Sequence, residues 1–133
     1  MNVGQFLTLY LISIPIFILF DLLWLGVVAK SFYQTRLGHL LGEVVWPPAI
    51  VFYLVFLVGL TYFATYPALD SGLLRTALLG ALFGFFTYAT YDLTNHATLR
   101  DWPLAVTLVD IVWGTLLGAG VATLTTLAYR LVG

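Results

Sequence analysis

The sequence predicts an all-α polytopic membrane protein, a bundle of four transmembrane helices. The first reason is composition. Of 133 residues, 62% are hydrophobic and only 8% are charged, and the mean hydropathy is +1.03, far from the balance of a soluble domain. The second is length. The apolar residues fall in four stretches, about 6–29, 46–66, 73–96 and 104–127, each sufficient for the roughly 20 residues that cross a hydrocarbon core of about 30 Å. The connections are too short for a separate soluble unit, so residues 1–133 read as one domain.

The first stretch is too long for a secretory signal core, starts without a basic residue (MNVGQF) and carries Asp21, so it is expected to be a retained helix. Pro15 lies inside it and removes one backbone hydrogen bond about one and a half turns before Asp21. The plain reading is a tolerated membrane proline, and the alternative is a hinge. Pro47 and Pro48 open the second helix, where a missing N–H costs nothing, and Pro67 follows its end. Asp70 and Ser71 are placed to cap the third helix, and Asp101 stands before Pro103 at the start of the fourth. The first loop, KSFYQTRLGHLLGEV, carries Phe32, Tyr33, Leu37, Leu40, Leu41 and Val44 and is expected to lie on the membrane surface as a short amphipathic segment. His39 and Glu43, four apart, would be neighbours there if it were helical.

Three aspartates interrupt these stretches: Asp21, Asp92 and Asp110. A carboxylate in hydrocarbon costs at least a few kcal/mol, so such groups face a protein interior or a wet cavity and point to function. At 1.5 Å rise per residue, Asp21 lies about 12 Å from the first-loop end of its helix, Asp110 about 9 Å and Asp92 about 6 Å. All three therefore share one half of the bilayer, together with Trp24, Trp46, Trp102, Trp113 and both histidines. An aromatic belt accounts for Trp46 and Trp102. Trp24 and Trp113 each follow an aspartate by three residues, which sets an indole beside a carboxylate on the first and fourth helices.

The third helix adds Tyr88, Tyr91, Asp92, Asn95 and His96. Asp92 is one turn from Tyr88 on one side and from Asn95 and His96 on the other, so a hydrogen-bonded surface is sterically available, on which Asp92 with His96 could relay a proton or contribute two metal ligands. The bland alternative is a carboxylate satisfied by its own helix. The candidate ligand- and proton-binding set is Asp21, Trp24, Tyr88, Tyr91, Asp92, Asn95, His96, Asp110 and Trp113. Gly80 with Gly84 and Gly114 with Gly118 form two small-residue motifs that let the third and fourth helices pack closely. That stripe also turns Asp92 and Asp110 towards the shared interface.

Common enzyme chemistry is missing from the sequence. There is no cysteine, and the net charge of −1 offers no field for nucleic acid. No phosphate-binding glycine loop or serine nucleophile elbow occurs either. No catalytic residue, metal site or cofactor is assigned.

The segments FDLLWLGVVAKSFYQTRLG, ALLGALFGFFTYATYDLTNHATLRDWP and VDIVWGTLLG resemble the bacterial membrane-protein family catalogued as domain of unknown function 2177. Asp21, Trp24, Tyr91, Asp92, Asn95, Trp102, Asp110, Trp113 and Gly114 match its signature. The resemblance covers nearly the whole chain. It implies a four-helix, multi-pass protein of the bacterial inner membrane and no established activity.

Two classes of function follow from the residues themselves. In the first, the acids and indoles line a cavity that binds or carries a small amphiphile, a membrane lipid or a cation, as a passive carrier or as a proton-coupled one that exchanges a proton for a cationic ligand. In the second, the same groups perform cofactor-independent acid and base chemistry on a lipid, as an isomerase would. An assembly subunit whose acids only hold helices together is a third reading. Four helices enclose little volume, which makes a homodimer plausible. Lys30, Arg36 and Arg100 against Arg75, Arg130 and the amino terminus place loops 30–45 and 97–103 in the cytoplasm by one side chain.

Overall fold

The computed structural model describes residues 1–132. The chain is an all-α polytopic bundle with four helices long and apolar enough to cross a membrane, Val3–Val28, Trp46–Thr65, Leu73–Thr98 and Leu104–Val132. Helix α1 (Val3–Leu23) runs through Pro15 and continues into a wide π-helical turn, Trp24–Val28, closed by a 2.7 Å bond from the Ala29 amide to the Trp24 carbonyl. A short helix α2 (Lys30–Leu37) follows in the first loop. Helix α3 (Trp46–Leu60) begins with its two prolines in the first turn and ends in a second π-helical turn, Thr61–Thr65. Helices α4 (Leu73–Thr98) and α5 (Leu104–Val132) complete the bundle.

Two expected caps are replaced. Gly72 caps α4 with φ of 102°, in the left-handed region that glycine enters without a Cβ clash, while the Ser71 hydroxyl accepts from Arg75 Nη1 at 2.8 Å. Asp101 takes φ of 56° within the turn, and the Val106 and Thr107 amides in the first turn of α5 bond the Pro103 carbonyl. His39 and Glu43 lie beyond the end of α2 in irregular backbone and are exposed, so no shared helix pairs them.

Glycine decides how α4 and α5 meet. A Cβ on Gly84 would run into the Gly114 carbonyl, one on Gly118 into the Gly80 carbonyl, and one on Gly114 into the Tyr88 ring. Without side chains at these points the two backbones touch. Along the antiparallel pair Gly80 lies beside Gly118 and Ala122, Gly84 beside Gly114 and Gly118, and Tyr88 against Gly114. One further turn brings Asp92 to Asp110. Phe17 of α1, Phe56, Leu57 and Leu60 of α3, and Leu117 and Val121 of α5 fill the core between the helices.

Candidate functional site

Above that core, in the half of the bundle nearest α2, the helices part around a cavity of about 700 Å³. Its walls are mostly carbon, with Leu25, Leu37, Leu41, Val44, Phe52 and Val106 among them. A few polar groups converge within it. Asp21, Tyr53, Tyr88, Asp110 and Tyr33 come from α1, α3, α4, α5 and α2 respectively. Apolar walls with a small number of aimed polar groups describe a small-molecule site, and the volume is that of a drug-sized or single-chain lipid guest.

The polar groups form two arms. In one, Trp24 Nε1 donates to the Tyr33 hydroxyl at 3.1 Å, and that hydroxyl donates to Asp110 Oδ1 at 2.6 Å. Burial and the adjacent Asp110 carboxylate push the Tyr33 hydroxyl above its ordinary pKa, so it remains a donor at physiological pH. Behind Asp110 lies Asp92, fully buried, with neither carboxylate oxygen receiving a hydrogen bond from a conventional donor. Its neighbour is the Asp110 carboxyl itself. Two carboxylates meeting away from water form a good contact only with one proton between them. In the other arm Asp21, 7% exposed, stands beside the Tyr53 hydroxyl and within Coulombic reach of Asp110. Tyr88 sits between the arms, among Asp21, Asp110, Tyr53 and Tyr33, in space left by Gly114.

The indoles of Trp24 and Trp113 stack face to face, their centroids 4.4 Å apart and their planes 5° from parallel. The two aspartate–tryptophan pairs of α1 and α5 thus meet through their aromatic members. Tyr91 packs edge-on against Trp102 at 6.2 Å.

Of the nine side chains singled out from sequence, Asp21, Trp24, Tyr88, Tyr91, Asp110 and Trp113 line the cavity. Asp92, Asn95 and His96 do not. Asp92 is shielded by Asp110, Asn95 reaches Tyr91, and His96 Nδ1 lies 3.3 Å from Thr107 Oγ1. The expected Asp92–His96 relay does not form, because each residue meets its opposite number on α5 instead of its neighbour one turn along α4. Trp102 is also corrected. It is 8% exposed, donates from Nε1 to Thr107 Oγ1 at 3.0 Å and lines the cavity, so it is no headgroup-belt residue.

Sequence reasoning missed Tyr33, Tyr53 and Lys30 as lining residues of the cavity. The signal for Tyr53 was a hydroxyl within an otherwise aliphatic run, AIVFYLVFL. Tyr33 carried no such signal, since only folding of α2 back over the bundle brings it to Asp110. Among the described residues, no group of three His, Cys, Asp or Glu side chains could hold a metal ion.

Residues 6–127 match the family described as Predicted membrane protein (DUF2177). The chain belongs to this family. The DUF2177 match takes in both arms of the site, the stacked indoles and the glycine contact of α4 and α5. Nothing among curated proteins or solved structures matches the chain.

Proposed function

We propose that this DUF2177 protein binds an amphiphile with a cationic head and a hydrocarbon tail, and carries it in exchange for a proton. The observation that carries the reading is the convergence of Asp21 of α1 and Asp110 of α5 on one cavity, within Coulombic reach of each other. A cation placed there gains two carboxylates in a medium of low dielectric and the faces of Trp24, Trp113 and Tyr88. Lys30 is at the α2 side of the cavity and is exposed. The carbon walls suit the tail. A cation seated at Asp110 competes for that carboxylate with a proton shared with Asp92, which would link binding to proton release. The bacterial inner membrane is the setting proposed, with loops 30–45 and 97–103 in the cytoplasm.

The test is equilibrium binding of dodecylamine to the protein in phosphatidylcholine nanodiscs, followed by tryptophan fluorescence. The reading predicts a saturating change whose affinity falls about tenfold or more, at least about 1.4 kcal/mol, in Asp21→Asn and in Asp110→Asn. A linear, unsaturating signal identical in all three proteins would refute it.

One observation favours acid and base catalysis as a second reading. The line Trp24–Tyr33–Asp110–Asp92 joins a hydroxyl at the cavity wall to a buried carboxyl pair, an arrangement suited to moving a proton to and from a bound lipid. Lipid extracts of cells with and without the protein, compared by mass and by chromatographic mobility, test it. Replacement of one species by an isomer supports catalysis, and identical lipid profiles count against it.

A further inference from the structure

The stacked indoles have a second side. Outside them lies a groove of about 260 Å³ lined by Trp24, Leu108, Val109, Val112, Trp113 and Leu116, all presenting carbon. Leu108, Val112 and Leu116 are 57%, 57% and 61% exposed, on the surface of α5 that a bilayer would cover. Trp24 and Trp113 line both this groove and the polar cavity, so one pair of rings is the wall between them.

That wall begins at an irregular stretch of backbone. Trp24 opens the π-helical turn of α1, and wide turns of this kind recur at functional sites. Gly26 within the turn has open space where a Cβ would be. The Trp24 indole N–H is directed to Tyr33 on the cavity side, which leaves the groove without a polar group from that ring.

We infer that the groove holds an acyl chain of a membrane lipid, and that the Trp24–Trp113 pair is a side door through which a guest passes between the bilayer and the cavity. The inference rests on the cavity being a binding site. It commits to an acyl chain because the groove is wholly apolar, faces the bilayer and adjoins the cavity through the shared rings. Hydrocarbon slipping between the indoles replaces a ring-to-ring contact with a ring-to-chain contact, so opening exposes no unpaired polar group to lipid.

The experiment uses the full chain in vesicles of phosphatidylethanolamine and phosphatidylglycerol doped with a phosphatidylethanolamine carrying a diazirine in its acyl chain. After irradiation, the label is mapped by peptide mass. Labelling of the Leu108–Leu116 stretch is expected to exceed that of Val51 and Val55, equally exposed on α3, and to be lost in Val112→Trp and Leu108→Trp. The same variants are expected to slow dodecylamine loading about tenfold in stopped flow without altering its final affinity. Val55→Trp, on the α3 face, is expected to load at the wild-type rate. Equal labelling of the α5 and α3 faces would overturn the groove, and unchanged loading in both filled variants would overturn the door. Either failure with saturable dodecylamine binding intact leaves the cavity reading standing. Unsaturable wild-type binding would remove that reading and this inference together.

Discussion

Trp24 and Trp113 lie in near-parallel contact, one from the end of α1 and one from α5, with Tyr33 of α2 bonded to the first ring and to the aspartate one turn from the second. Three separate segments are thereby tied at a single point. An aromatic pair adds about 0.5–1.5 kcal/mol beyond its buried area, so Trp113→Ala is expected to lower stability by about 3 kcal/mol and Trp113→Phe by much less. Thermal melting in detergent checks both. Equal melting of wild type and Trp113→Ala would contradict the contact.

Tyr33→Phe removes one hydroxyl and with it both bonds of that tie. Loss of about 1–3 kcal/mol is expected, since Asp110 loses a buried donor. The pH dependence has a defined sign. Tyr33 is raised above its ordinary value of 10.0 in the folded protein, so its contribution is fully present below pH 10 and is lost only as the pH climbs beyond it. Denaturation curves of wild type and Tyr33→Phe should therefore stay a constant distance apart from pH 7 to pH 10. A gap that closes between pH 7 and pH 9 would contradict the assignment.

The fold was legible because hydropathy alone marks membrane spans, and Gly80, Gly84, Gly114 and Gly118 announced which faces of α4 and α5 touch. Asp21, Trp24, Asp110 and Trp113 were legible for a related reason, as polar or amphipathic groups that hydrocarbon does not tolerate without cause. The partners of Asp92 and His96 were not. Spacing along one helix shows which side chains lie near each other, whereas contact across the bundle depends on the level at which α5 passes. There Asp110 faces Asp92 and Thr107 faces His96. Tyr33 was hidden further, since its position depends on where a loop helix folds.

The close approach of α4 and α5 leaves no room for a side chain at Gly84 or Gly118. Gly84→Leu or Gly118→Leu should force the helices apart, destabilising the protein by about 3 kcal/mol and lowering its melting temperature by roughly 10 °C. Gly26→Leu, in open space, should melt with wild type. The reverse order would contradict the helix contact.

Asp92 tests the carboxyl pair. In Asp92→Asn an amide N–H can donate to Asp110 in place of a shared proton, so stability should remain within about 1 kcal/mol of wild type. Proton release on dodecylamine binding should vanish, as read with a pH dye in lightly buffered nanodiscs. Release undiminished in Asp92→Asn would place the exchanged proton elsewhere.

In the proposed carrier Asp21 of α1 and Asp110 of α5 hold one cationic head between them. A crystal structure grown in a lipidic mesophase with dodecylamine tests it most directly. Density for the ammonium is expected between Asp21 and Asp110, with the tail along Phe52, Leu41 and Val106. An empty cavity at saturating dodecylamine, or a head bound away from both carboxylates, would contradict it.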